Sequence, residues 1–419
     1  FLYKGKLYLS SMGPGSIGVY SLIHCFDMET GDVVWTKPVT RAGLKTHEST
    51  ALHVAEDVLV GALGDREDFS FVGGCNTLFG MNATDGSHLW DFKLDAGLVW
   101  NFMPSTAGDG SFFFSTTCGA AERRSLGDGR RIWQGALREK PGKVAYGTGG
   151  GVLGPNGVFY AESNHIGEHS PLPGVPHCEV PVVQSFWASD VESRCPEGEG
   201  LLTAYRAEDG EVLWSRRLPR GFGGSQYPAV GKIHGGRLAV VGGIGMNSAL
   251  AWDMLGPAFL PWFFRELLFK VQYRSALFRW LIGVPIKRNA VAAFDAETGK
   301  LIWMWEEEPW SYYAAKGDEE TFLQRLERSE EDPRFEMLCA PDNWGIPAIT
   351  ADGTVIIGSG STGDLLAIRD ENGDGVIQDH EVATLKTEQA FLNNPGLAPG
   401  LMAVAPCWGP MYVFKSDQK

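Results

Sequence analysis

The 419-residue chain is 44% hydrophobic and 21% charged, a balance that supplies a large globular core and excludes a disordered or fibrous polypeptide. Its formal charge of −15 excludes nucleic acid binding through the general surface, because phosphate recognition needs a basic footprint. The seven cysteines contain no CxxC pair, which excludes a zinc ribbon or a thioredoxin motif.

Taken in chain order, the sequence opens inside an apparent strand (FLYKGKLYLSS) without an initiating methionine, so it reads as an N-terminally truncated fragment of a single domain spanning 1–419. A ten-residue pattern then recurs at Phe26–Trp35, Met81–Trp90, Arg124–Trp133, Tyr205–Trp214 and Phe294–Trp303. In each copy a glycine stands four residues before the tryptophan: Gly31, Gly86, Gly129, Gly210 and Gly299. An apolar run enters, the turn reverses it, and glycine takes the positive φ that a bulged hairpin turn requires. The tryptophan on the outgoing strand is then placed to fill the wedge between neighbouring sheets.

A second hairpin signal precedes several of these turns, as in Pro104–Ser115, Pro228–Gly242 and Pro347–Ser359. Each unit is therefore four strands, one blade of an all-β propeller. The tryptophans lie 55, 43, 81 and 89 residues apart, so two blades carry long insertions. A sixth unit runs from Asn343 to Leu385, and Pro395–Phe414 gives the inner strands of a seventh, with room for an eighth.

The insertions cover 162–200, 247–289 and 307–343, and alternation of loops along a blade puts all three on one face. The first holds His165, His169, His177 and Cys178, whose spacing among Pro and Gly gives no metal-binding register. Cys178 and Cys195 lie close enough to close a local disulfide or to remain two thiols. The second contains 257–284, an amphipathic helix with Phe259, Phe263, Leu267, Val271, Leu277 and Leu281 on its apolar face and Arg265, Lys270, Arg274 and Arg279 between them. That pattern fits docking on a partner protein or a membrane surface, or packing on the propeller's own face; its charges exclude a spanning helix. The third carries a short acidic helix, a solvated cap on these helical insertions.

In the sixth unit the turn is replaced by residues 370–381, which resemble an EF-hand calcium loop. Asp370, Asn372 and Asp374 stand at the first, third and fifth ligand positions. Gly375 makes the sharp turn, Val376 offers its carbonyl, and Ile377 anchors the loop. Gln378 acts at the ninth position and Glu381 binds bidentately at the twelfth. The flanking LLAIR and VATL read as strands, so the loop is expected to staple a hairpin with calcium rather than to open a groove.

The blade turns resemble the pyrroloquinoline-quinone (PQQ)-like repeat, and Phe294–Trp303 (FDAETGKLIW) matches that pattern closely. The resemblance implies a β-propeller of seven, or eight, four-stranded blades. It implies two functional readings: a non-catalytic binding or assembly scaffold, or a PQQ-dependent alcohol or sugar dehydrogenase. Dehydrogenase members hold PQQ on the ring axis with calcium, an acidic base and usually two adjacent disulfide-bonded cysteines. No two cysteines are adjacent here, and Glu162, Asn164, Asp342 and Asn343 are acids and amides without a distinguishing spacing. Trp100 and Trp344 serve equally as an aromatic floor or as packing between blades. The scaffold reading is favoured, with a lean towards an extracytoplasmic or membrane-associated location.

Overall fold

The computed structural model describes residues 1–12, 21–39, 46–49, 52–65, 75–98, 102–116, 120–135, 150–164, 200–219, 222–224, 226–245, 264, 267, 271, 275, 277, 288–310, 315–319, 324 and 344–416. Among the described residues the strands assemble into seven antiparallel sheets, the sheet count and strand order of a seven-bladed β-propeller.

The chain divides into two compact units, Phe1–Ser163 with Thr203–Trp214, and Asn164–Leu202 with Ser215–Lys419. In the first unit, sheet one contains Leu2–Tyr3, Lys6–Met12, Ser21–Asp27 and Val33–Pro38 in sequential order. Sheet two has Thr46–Ser49, Val58–Asp65, Cys75–Asn82 and His88–Leu98, and a further piece of its first strand, His53–Ala55, pairs with Val58–Asp65. Sheet three runs Ser105–Thr106, Ser111–Ser115, Ala121–Ser125 and Arg131–Gln134. Sheet four is Gly151–Leu153, Val158–Asn164, Gly200–Arg206 and Val212–Arg217, with its body in the first unit.

The second unit holds sheet five, with Gly223–Gly224, Leu238–Gly245, Asn289–Asp295 and Leu301–Glu306, and Ala229–Lys232 also paired to Leu238–Gly245. Sheet six is Ala348–Ile349, Val355–Gly358, Asp364–Ile368 and Val382–Lys386. Sheet seven is Gly396–Ala398, Leu401–Val404 and Tyr412–Lys415, three strands among the described residues.

The core lies between neighbouring sheets. Ile23, Trp35, Leu59 and Phe79 pack between sheets one and two, and Val60, Leu78, Trp90, Phe112 and Phe114 between two and three. Phe113, Trp133, Phe159 and Tyr205 fill the next layer, and Val241, Val291, Trp303, Ile357 and Leu366 the one between sheets five and six. Third strands pack on both faces, and all seven residues of Asn289–Asp295 are buried. Fourth strands bury little besides the tryptophan: in Val33–Pro38 and Val212–Arg217 it is the one buried residue.

The repeated turn explains this pattern. All five glycines have positive φ, between +67° and +77°. The ladder shifts register beside the turn, between Cys25 and Phe26, Gly80 and Met81, Arg123 and Arg124, and Ala293 and Phe294. That shift is the bulge that glycine's φ was expected to close. Three of the tryptophans, Trp35, Trp90 and Trp133, reach the next sheet's turn. The indole Nε1–H of Trp35 donates to the Ala83 carbonyl at 3.1 Å, Trp90 to Leu126 at 2.7 Å and Trp133 to Ala207 at 2.9 Å. The next turn's glycine lies against the same ring: a Cβ on Gly129 would stand 2.6 Å from Trp90, and one on Gly210 2.7 Å from Trp133. One residue type thus serves both the turn and the seat of the neighbour's indole.

The insertions 162–200, 247–289 and 307–343 fall largely outside the described residues, and so do Cys178, Cys195, His165, His169, His177, Trp100, Asp342 and Asn343. Within 257–284 the described Phe264, Leu267, Val271 and Leu277 are helical, and the Ser275 amide donates to the Val271 carbonyl at 3.0 Å. No helix among the described residues is long and apolar enough to cross a membrane.

The two roles of glycine separate by mutation. Gly31 has open space around its missing Cβ, whereas Gly210 faces Trp133. Gly31→Ala is expected to cost about 1 kcal/mol through φ alone, and Gly210→Ala about 3 kcal/mol through φ and the displaced indole, read as the shift in urea-unfolding free energy.

Candidate functional site

Residues 370–381 form the connection between the third and fourth strands of sheet six. The ladder closes its base by pairing Ile368 with Val382, and the Arg369 amide donates to the Glu381 carbonyl at 3.0 Å. Both flanks are strands, as the sequence implied. Gly375 has a φ of +80°, and a Cβ there would stand 2.8 Å from the Ile302 carbonyl oxygen on sheet five. Ile377 packs against the core between sheets five and six, which ties the loop to the body.

Asp370 and Glu381, at the two ends of the loop, are buried, while Asn372, Asp374, Val376 and Gln378 are exposed. Asp370 accepts from the Gly373 amide through Oδ1 at 2.8 Å and from the Gly375 amide through Oδ2 at 3.0 Å. Glu381 accepts from the Glu371 and Gln378 amides at 2.7 and 2.8 Å. The Gln378 amide bond comes first among the causes that hold the Glu381 carboxyl below the usual glutamate range, with the Glu371 amide adding to it. Asn372 Nδ2 donates to Asp374 Oδ2 at 2.9 Å, and the Val376 amide to Asp374 Oδ1 at 2.8 Å. The carboxylates of Asp370, Asp374 and Glu381 thus accept from the loop's own N–H groups. Among the described residues no group of three or more His, Cys, Asp or Glu side chains stands placed to hold a metal ion.

A second polar site lies in the same unit. Glu307 follows the fourth strand of sheet five on the face shared with Trp303 and is 4% exposed. Its Oε1 accepts from Thr362 Oγ1 at 2.5 Å, and its Oε2 from Ser359 Oγ at 3.1 Å and Asn289 Nδ2 at 3.5 Å. Burial pushes its pKa up to about 7, the hydrogen bonds hold it down in part, and the nearby Asp364 carboxylate raises it further. Sequence reading used Glu307 only as an insertion boundary. The signal that marks it is strand alternation: Trp303, Trp305 and Glu307 share a face, whereas Glu306 points out to pair with Arg288 at 2.6 Å.

The axial candidates separate. Trp344 is fully buried, donates through Nε1 to the Ile244 carbonyl at 3.3 Å and occupies the space a Gly243 Cβ would need, so it packs between blades. Glu162 is buried at the end of its strand. Asn82, which begins a glycosylation triplet, accepts the Thr84 amide at 2.8 Å and thereby shapes its turn. Cys25 is buried and free, and Cys407 is disulfide-bonded.

Residues 14–163 match the family model described as outer membrane protein assembly factor BamB. The match supports the PQQ-like repeat reading over less than half of the chain. Comparison with curated protein sequences finds no match. Among solved structures, BamB from Moraxella catarrhalis is 11% identical with a TM-score of 0.51, the likeness covering 99% of this chain and 80% of that one. A quinohemoprotein alcohol dehydrogenase from Pseudomonas putida HK5 is 11% identical with a TM-score of 0.49, covering 97% and 62%. A europium-containing methanol dehydrogenase is also 11% identical, with a TM-score of 0.44 over 96% and 81%. At such identities the likeness to the BamB structure shows the fold alone.

Glu307 sets a pH dependence with a definite sign. The unfolded chain releases this proton near 4.5, whereas the folded chain keeps it until about 7, so the folded state binds more protons in between. Stability should fall as pH rises through that window, by on the order of 3 kcal/mol for this residue. In Glu307→Gln, urea unfolding across the same window should lose that component.

Proposed function

We propose that the chain is a non-catalytic PQQ-like propeller that acts as a binding or assembly scaffold for a partner protein. The observation that carries this reading is the match of residues 14–163 to the assembly-factor model. The propeller fold supports it, since the repeat sequence carries long insertions between its strands and loop elaboration on a scaffold is where binding function collects. The exposed apolar Phe264, Leu267 and Leu277, 46%, 55% and 67% accessible, support 257–284 as the element that meets a partner protein or a membrane surface. The Cys407 disulfide supports an oxidising, extracytoplasmic location.

The second reading, a PQQ-dependent dehydrogenase, has the repeat in its favour but lacks the adjacent cysteines that the resemblance leads one to expect. Incubating the protein with PQQ and calcium and assaying dye reduction over a panel of alcohols and sugars separates the two. The scaffold reading expects no turnover above a PQQ blank; saturable, quinone-dependent turnover would overturn it. Docking is tested with vesicles of anionic phospholipid. Leu267→Glu with Leu277→Glu should weaken that contact about tenfold, and unchanged binding would remove 257–284 as a membrane-docking element.

The 370–381 loop is proposed to bind calcium as a structural staple, with Asp370, Asn372, Asp374, Gln378 and Glu381 supplying side-chain oxygens and Val376 its carbonyl. Support comes from the ligand order, the positive φ of Gly375, the anchoring of Ile377 and the buried carboxylates at both ends. Calorimetric titration is expected to give one site per chain and a raised melting temperature, both abolished in Glu381→Gln; heatless titration and an unmoved melting curve would refute the staple.

A further inference from the structure

We infer that the wedge between sheets one and two is a binding site for a small apolar carboxylate, with the Lys37 ammonium as its anion contact. A cavity of about 300 Å³ lies there, between the fourth strand of sheet one and the third and fourth strands of sheet two. Its floor is Phe79 and Met81, which alternate along the third strand and so share the face turned to sheet one. Asp91 and His88 stand beside them on the fourth strand, paired in the ladder with Phe79 and Met81. Lys37 and Val39 form the opposite wall.

The repeat shows why this wedge is open while its counterparts are filled. The residue five places before each turn glycine meets the residue two places after the preceding blade's tryptophan. Between sheets two and three these are Arg124 and Phe92. The guanidinium lies 5.5 Å from the ring centroid and donates to Glu122 Oε2 at 2.8 Å. Between sheets three and four they are Tyr205 and Gly135, where a Cβ on the glycine would stand 2.7 Å from the tyrosine ring. Between sheets one and two they are Met81 and Lys37. Met81 is drawn into the core between the sheets and Lys37 stands exposed at the rim, so the space between them is the cavity. Phe79 takes the place that Glu122 holds in sheet three, which makes the floor apolar.

The charges orient the ligand. Gly86 fixes the stem of Lys37, since a Cβ there would stand 2.6 Å from Lys37 Cγ. The Lys37 ammonium has no hydrogen bond or ion pair among the described residues. Asp85 feels its charge, but Ser87 is the first cause that holds the Asp85 carboxyl below the usual aspartate range, and the Ser87 amide donates to it at 2.8 Å. On the facing wall His88 Nε2 lies 3.4 Å from Asp91 Oδ2, and the Asp91 carboxylate repels an anion from that side. A carboxylate therefore settles at Lys37, and the apolar remainder of the ligand covers Phe79 and Met81. A wholly polar anion would leave that floor uncovered, and an apolar neutral molecule would leave the ammonium unmet.

The test titrates the intact chain, labelled with ¹³C-methyl methionine, with 3-phenylpropionate and with its neutral amide. Met81 is assigned by the loss of its signal in Met81→Leu. The site predicts that the carboxylate moves the Met81 methyl resonance saturably and binds about tenfold more tightly than the amide. Lys37→Met keeps the stem against Gly86 and removes the charge, so it should bring the two ligands to equal affinity. Lys37→Phe copies Phe92 at the equivalent position and should abolish binding of both by filling the cavity. Lys37 is exposed, so both substitutions leave folding intact. A Met81 signal that stays fixed on addition of the carboxylate would overturn the proposal. So would equal binding of the two ligands by the unmodified chain, or a preference for the carboxylate that survives Lys37→Met. The scaffold role stands or falls separately, since it rests on none of these residues.

Discussion

The contact on which this structure depends is the seat that each blade offers its neighbour's tryptophan. The indole N–H of Trp35, Trp90 and Trp133 is satisfied by a turn carbonyl of the following sheet, so a large ring is buried without an orphaned donor. The same turn presents a glycine against the ring face. A hairpin that needed glycine for its φ thereby gains the flat surface on which the indole rests. The fourth strand, otherwise exposed, is held to the body through this one residue.

Much of this was legible in the sequence, because both partners of the contact recur at fixed spacing. Five glycines four residues ahead of five tryptophans fix the turn, the bulge and the outgoing strand, and the sheets follow. The split first strands of sheets two and five were not legible, since pieces such as Gly223–Gly224 are too short to carry a pattern. Nor was the burial of Glu307. Its donors Ser359 and Thr362 lie 52 and 55 residues away in sequence, and the burial of its carboxyl group comes from a turn of another sheet. Only the alternation with Trp303 and Trp305 hinted at its side.

The sixth blade shows how the seat tolerates change. Where other blades have a short turn, it carries the 370–381 loop, yet Gly375 again approaches the preceding sheet at Ile302, next to Trp303. Ile377 adds an apolar contact to the same layer. The order of oxygen-bearing side chains, which resembles a calcium loop, was legible from the residues alone, whereas their hydrogen bonding was not. In the structure, Asp370 and Glu381 are spent on backbone N–H groups and Asp374 on its neighbours. The loop and the Glu307 cluster both lie along sheet six, one in the connection before its fourth strand and the other at the turn before its third.

The claim that tryptophan and turn glycine act as one unit is tested most directly by a double-mutant cycle on Trp133 and Gly210. If the ring rests on the glycine, Gly210→Ala should cost less in a Trp133→Leu background, where the smaller side chain leaves room for the new methyl, with a coupling of about 1 kcal/mol or more. Strict additivity of the two substitutions, within about 0.3 kcal/mol, would contradict the account.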